Sequence, residues 1–163
     1  MDARLMSGSV FLNLNLHRYT LFRNRPVLAV HNTATQSIPN STWTTITLPT
    51  VDIDSVGGYN TGTSTWTCPL YGTYRISAGV TWAANATPSR AVSLLVNGST
   101  RYLTNNDTPT STGAVTSTIV SQPLQIAAGW TVQLQADQNS GAALSTSGSP
   151  YSSFLHIIWD RVY

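Results

Sequence analysis

Tyr59-Asn60-Thr61-Gly62-Thr63-Ser64-Thr65-Trp66-Thr67-Cys68-Pro69-Leu70-Tyr71-Gly72-Thr73-Tyr74-Arg75-Ile76-Ser77-Ala78-Gly79-Val80-Thr81-Trp82 is the stretch that decides the fold. It reads as a short strand around Trp66, a turn over Pro69 to Gly72, and a long strand from Thr73. In the long strand Tyr74, Ile76, Ala78, Val80 and Trp82 share one parity, and Arg75, Ser77, Gly79 and Thr81 share the other. Alternation with a period of two marks a strand buried on one face, and a helix would scatter those apolar residues. This is expected to be a central strand of a sheet.

Outward from that strand the chain keeps the same character. Its 163 residues fit one domain, or one domain and an arm. Thr, Ser, Val, Tyr and Trp are abundant, Glu and Lys are absent, and no segment beyond the first 25 residues sustains a helical period. An all-β sandwich or barrel follows. Downstream, Ala91 to Val96 reads as a strand closed by Asn97-Gly98, a hairpin signal for two residues at positive φ. Arg101 to Leu103 pairs back, and Asn105 to Gly113 reads as a polar loop. Ala114 to Val120 is a strand, and Trp130, Val132, Leu134 and Ala136 alternate with Thr131, Gln133 and Gln135. A Ser/Gly-rich loop from Asn139 to Pro150, with a short strand at Ala142 to Ser145, precedes the closing segment Phe154 to Trp159. That segment is apolar on both parities apart from His156, as expected of a strand covered on both faces. About ten strands with short turns add up to a double-sheet jelly roll.

Charge is scarce, at 9% of residues, where a soluble domain ordinarily carries about a quarter. A surface of Ser, Thr, Asn and Gln hydrates well but lacks the repulsion that keeps copies apart. A net charge of +2 is too small to argue for nucleic acid. It is unevenly placed: Arg4, Arg18, Arg23 and Arg25 stand against Asp2 in the first 25 residues, giving +3, and the remainder carries −1. Residues 1–25 are therefore read as a basic arm, and residues 26–163 as the head. Val10, Leu12, Leu14 and Leu16 share one parity in the arm, an apolar stripe that must cover something. With Arg18 and Arg23 nearby, these are the expected anchoring residues.

Few residues invite chemistry. Cys68 is the one cysteine, so no disulfide within the chain is possible, and it is expected to fill core volume. The start Met1-Asp2-Ala3-Arg4 does not read as a secretory leader, no run approaches a membrane span, and no membrane insertion is expected. Sequons at Asn40, Asn85, Asn97 and Asn106 read as by-products of an Asn/Ser/Thr-rich surface. His31 and His156 fall on the first and last head strands; a hydrogen-bonded role outweighs a metal site for both. Asp52 and Asp54 are expected to cap a turn in preference to binding a cation. No nucleophile turn, paired glutamates, phosphate loop or His-rich motif is present. No active site and no cofactor are expected.

Trp66, five residues, Gly72, one residue, Tyr74, one residue, Ile76 resembles the aromatic-x5-Gly-x-Tyr-x-Phe signature of the complement subcomponent q globular head, within the tumour necrosis factor-like superfamily. Val51-Asp52, Tyr59-Asn60, Cys68-Pro69, Val92 to Asn97, Leu124 to Leu134 around Gly129, and Ser152-Ser153-Phe154-Leu155 resemble its other segments in order. The resemblance covers about residues 26 to 163. Ile76 stands where that pattern has Phe, Trp130 replaces an Asp, the Gly of the last strand is missing, and no collagen-like stalk precedes the head. What the resemblance implies is a ten-stranded antiparallel jelly-roll sandwich, preceded here by an arm, that forms a homotrimer. Trp82, His156 and Trp159 are the expected interface residues. Three roles fit: a virion structural head, decorating a capsid or appendage and docked by its arm; a receptor- or glycan-binding head at a phage tail tip, with Tyr102 and Tyr151 stacking on sugar; or a bacterial cell-surface or spore-coat adhesin. The first is preferred, which places the protein on a virion surface with capsid or tail proteins as partners.

Overall fold

A computed structural model describes residues 25–86, 89–108 and 113–161. The arm, with Val10, Leu12, Leu14, Leu16, Arg18 and Arg23, lies outside the described residues. Fourteen strands follow in order: β1 (Val27–Asn32), β2 (Ser37–Ile38), β3 (Thr44–Thr45), β4 (Thr50–Asp54), β5 (Tyr59–Asn60), β6 (Thr65–Thr67), β7 (Gly72–Trp82), β8 (Arg90–Val96), β9 (Thr100–Asp107), β10 (Val115–Val120), β11 (Leu124–Ile126), β12 (Thr131–Gln138), β13 (Leu144–Ser145) and β14 (Ser153–Arg161). Several are two-residue pieces, so the count exceeds the ten expected without changing the architecture.

Two large antiparallel sheets carry the fold. The first runs β10-β7-β14-β1-β4, with β11 also on β7, and the second runs β5-β6-β12-β8-β9, with β3 on β12. Their inner faces share one core, in which Trp66, Tyr74, Ile76, Ala78, Val80 and Trp82 meet Val92, Leu94, Val132, Leu134, Leu155 and Ile157. The central strand is the one the alternation marks: β7 pairs with β14, β10 and β11.

The signature residues have packing reasons for their spacing. Trp66 stands edge-on to Tyr74, with ring centroids 5.3 Å apart at 71°, the geometry that a ring quadrupole favours. The Tyr74 hydroxyl donates to the Leu70 carbonyl at 2.7 Å. Gly72 is required because a Cβ there would lie 2.5 Å from Trp159 Nε1. The Asn97-Gly98 turn adopts positive φ at both residues, 51° and 68°, as its sequence demands.

Two local expectations are corrected. Asn105 to Asp107 belong to β9, not to a loop, because Asn105, Asn106 and Asp107 pair with Val92, Ala91 and Arg90 past a bulge. Trp130 is more than one-third exposed and lies ahead of β12, held in the tight turn at Gly129 by a hydrogen bond from its N–H to the Ala127 carbonyl.

Candidate functional site

The outer face of the first sheet is the largest chemical departure from an ordinary solvated surface. On β14 the odd residues Leu155, Ile157 and Trp159 enter the core, and the even residues Phe154, His156 and Ile158 face outward. Beside them on β7 lie Ser77 and Gly79, on β10 Val120, on β1 Ala29, and on β4 Ile53. Val120 is 79% exposed, Ile158 53% and Ile53 49%. Phe154 leans across Gly79, where a Cβ would meet its ring at 2.7 Å, and its centroid is 5.0 Å from that of His156. Arg75, Ser77, Val120, Pro123, His156 and Ile158 line a shallow depression of about 400 Å³ on this face. It is a broad apolar surface on small residues, with little charge in its middle.

Charge is confined to its ends. At one end Arg75 Nη2 lies 3.5 Å from Asp160 Oδ2, largely in solvent. At the other, buried His31 and exposed Asp52 are joined, Nδ1 to Oδ2, at 2.8 Å. A bulge in the β1–β4 pairing aims Asp52 there. Asp54 does the turn capping expected of it, accepting from the N–H groups of Val56, Gly58 and Tyr59. Asp52 instead serves His31, a partner that sequence spacing did not reveal. His31 lies opposite Phe154 and His156 opposite Ala29, so both histidines share the outer face with Phe154 between them. Among the described residues no group of three His, Cys, Asp or Glu side chains could hold a metal ion.

Of the expected interface residues, only His156 reaches this face. Trp82 is fully buried and donates its indole N–H to Ser117 Oγ at 3.1 Å. Trp159 is buried over Gly72. Both have the inward parity, so neither ring has surface to offer a neighbour. Sequence reasoning missed Val120, Ile158 and Ile53, which come from three different strands. The only advance signal was the apolar character of β14 on both parities.

The aromatic residues expected to stack on sugar are placed differently. Tyr102 packs against the core from its position opposite Leu94. Tyr151, with φ at 58°, is exposed, but one ring face is taken by His31, whose centroid lies 4.1 Å away. Cys68 is buried as expected; its thiol donates to the Leu70 carbonyl at 3.0 Å, and burial pushes its pKa up. Such a thiol is a poor nucleophile. At the far end of the sandwich the Arg90 guanidinium is buried on the inner face. It reaches the Asn85 carbonyl through Nη2, leaving Nε and Nη1 without partners among the described residues. Burial lowers its pKa, and Asp107 opposite partly offsets this.

No protein-family profile and no curated protein sequence matches the chain. Solved structures do. The Eiger tumour necrosis factor of S. frugiperda superposes with a TM-score of 0.67 at 8% identity, over 86% of this chain and 95% of that one. The globular domain of zebrafish complement 1qA protein gives 0.66 at 12% identity, over 85% and 99%. Murine APRIL, at pH 8.5, gives 0.61 at 14% identity, over 83% and 99%. The chain is thus an all-β head with the jelly-roll fold of the tumour necrosis factor-like and complement 1q-like proteins.

Proposed function

We propose that this protein is a non-enzymatic, homotrimeric structural head, displayed on a virion surface as a capsid decoration or appendage and docked there by its first 25 residues. The observation that carries the trimer is the apolar outer face of the β10-β7-β14-β1-β4 sheet. Val120, Ile158 and Ile53 stand exposed around His156, while small neighbours such as Gly79, Ser77 and Ala29 let another chain approach closely. A second and third copy of this chain are its natural occupants. Closed three-fold symmetry lets one patch be covered in every subunit without leaving an open end. The fold shared with tumour necrosis factor-like heads adds to that reading.

The particle role rests on the sequence. Charged residues make up 9% of the chain, with no Lys or Glu, a composition that tolerates close packing in an assembly. The arm offers an aliphatic stripe, Val10, Leu12, Leu14 and Leu16, next to Arg18 and Arg23, for contact with capsid or tail proteins. Three arms on one trimer would multiply a weak contact, provided that all reach their sites. The test is sedimentation of full-length and arm-deleted (residues 26–163) protein, alone and with undecorated particles. Both should be trimers, and only the full-length protein should pellet with particles. Undiminished pelleting of the arm-deleted trimer would remove the docking mechanism, and a monomer at micromolar concentration would remove the trimer.

A further inference from the structure

His156 stands at the centre of the apolar outer face of the first sheet. The pairing register draws one row straight across five strands: Val120 of β10, Ser77 of β7, His156 of β14, Ala29 of β1 and Ile53 of β4. Along β14 the outward neighbours of His156 are Phe154 and Ile158. The imidazole thus has small residues on both flanks, aliphatic side chains at both ends of its row, and apolar side chains before and after it. It also lines the shallow depression shared with Arg75, Val120, Pro123 and Ile158. Val120 and Ile53 belong to the two end strands of this sheet. A body that covers both of them must pass over His156.

The hydrogen bond expected of this histidine is not made. Among the described residues neither ring nitrogen of His156 has a hydrogen-bond partner, and its ring contact is with Phe154, at 5.0 Å between centroids. Other polar groups on the two outer faces do have partners. His31 bonds Asp52 at 2.8 Å and stacks on Tyr151. On the second sheet Arg101 Nη2 donates to Gln135 Oε1 at 3.1 Å, and its guanidinium stands 4.8 Å over the ring of Trp43. Half-buried His156 is left to water. The charged groups around it lie at the margins. Arg75 and Asp160 are joined at one end, with Arg25 beyond them over the Trp159 ring, and His31 and Asp52 are joined at the other. The β10 strand that packs beside β7 carries no titratable side chain. Asp52 and Asp160 are thus already engaged, and Asp54 caps its turn. No carboxylate of this face is placed to answer a cation at its centre.

We infer, resting on the trimer proposed above, that His156 makes its assembly pH-dependent: the face closes over a neutral imidazole and opens when that ring takes up a proton. A neutral imidazole among Val, Ile, Phe and Ala side chains leaves water at moderate cost. An imidazolium leaves it at far greater cost, finds no free carboxylate there, and is repelled by Arg75. Histidine is the side chain that ordinarily changes charge between pH 5 and 8, and Asp ordinarily stays ionised down to about pH 4. The charge change in that window therefore falls on imidazoles. His31 keeps Asp52 as its partner whether or not the face is covered. The separated chain binds a proton that the closed assembly excludes, so association is full at high pH and is lost as pH falls through the imidazole range. Three-fold symmetry multiplies the effect. With three protons per trimer, the association constant falls by up to about a thousandfold for each pH unit below that range.

The test is sedimentation velocity of the full chain at micromolar concentration across the window from pH 8 down to pH 5, at constant ionic strength. Tryptophan fluorescence of the same samples reports whether the head, with Trp66 and Trp82 in its core, stays folded. Wild type should be a trimer at pH 8 and a folded monomer at pH 5. His156→Phe keeps a ring and removes the proton site, so it should remain trimeric throughout. His156→Gln stays neutral and polar; it should also lose the pH response, and it serves if the Phe variant does not fold. A wild-type trimer of unchanged affinity from pH 8 to pH 5 overturns the inference and leaves the trimer standing. So does a pH response that persists in the His156 variants, which assigns it to another group, or tighter association in acid, which means that a carboxylate answers the imidazolium. Loss of the buried-tryptophan emission at pH 5 overturns it as well, replacing dissociation by acid unfolding. A monomer already at pH 8 removes the trimer and this inference together.

Discussion

Replacing Ile158 by Asp tests the association face most directly. Ile158 is 53% exposed on the outward side of β14, between Val27 of β1 and Arg75 of β7. Fully burying an aliphatic side chain is worth about 1.5–3 kcal/mol, so covering the exposed half of Ile158 contributes about 0.8–1.5 kcal/mol per subunit. Val120, Ile158 and Ile53 together leave a little under two side chains' worth of aliphatic surface in water. Covering them contributes about 3–5 kcal/mol per subunit, or about 9–15 kcal/mol per trimer. The cost of lost rotational and translational freedom is about 4–15 kcal/mol per association step, met twice in forming a trimer, so gain and cost are of the same order. Association is therefore poised, and losing one contributor three times over matters. The carboxylate adds a desolvation penalty of several kcal/mol if it is buried. In the monomer it would sit in water beside Arg75, so the change favours the separated chains on both sides of the equilibrium.

In the separated chain the same change touches no core atom, and its effect on monomer stability should stay within about 0.5 kcal/mol. The assay is sedimentation velocity at micromolar protein, paired with urea unfolding. Wild type and Ile158→Val should sediment as trimers, and Ile158→Asp as a folded monomer. Thr104→Asp, on the other sheet and exposed, should remain trimeric. A trimer with unchanged affinity in Ile158→Asp would refute the assignment of this face. An unfolded Ile158→Asp monomer would instead mean that the residue supports the fold.

Gly79→Ala should lower stability by about 1–3 kcal/mol in urea melts, because its Cβ would meet the Phe154 ring at 2.7 Å and displace it. Burial raises the Cys68 and Tyr74 pKa values in the folded chain. Stability should be full below the unfolded values, roughly pH 8.5 and 10, and should fall as pH climbs through them towards the folded values. Tyr74→Phe should lose about 1 kcal/mol at neutral pH with the bond to Leu70 and flatten the alkaline decline; an unchanged slope would remove Tyr74 as a contributor. Arg90→Met should leave the thermal midpoint unchanged or raise it, since Nε and Nη1 lack partners among the described residues; a loss above about 2 kcal/mol would show that the guanidinium is a net support.

What the sequence made legible was what a single strand can carry. The parity of Tyr74, Ile76, Ala78, Val80 and Trp82 placed them in the core, and Asn97-Gly98 announced its own backbone geometry. The same parity argument, followed through, puts Trp82 inside and not at an interface. The length of β9 was illegible because Asn105, Asn106 and Asp107 have poor strand propensity and owe their conformation to pairing with β8. The proposed association face was illegible because Val120, Ile158 and Ile53 become neighbours only through sheet order, while β7 and β10 contribute Ser, Thr and Gly there. The His31–Asp52 pair depends on a bulge. The Trp43–Arg101 contact joins β9 to the edge of β3 across β12 and β8.

A head with so few charges must still keep its second sheet from sticking to other copies, and its side chains achieve this by bonding one another. Gln133 Nε2 donates to Thr65 Oγ1 at 2.7 Å, Gln135 bridges Arg101 and Thr45, and Thr104 Oγ1 donates to Ser93 Oγ at 3.3 Å. A surface whose amides and hydroxyls are paired within their own sheet offers little to an incoming strand or face. The first sheet does the reverse: its outer face has small polar groups, exposed aliphatic side chains and charge only at the margins. This asymmetry would make face-to-face association selective for one side, which is what the proposed closed trimer needs if it is not to grow further.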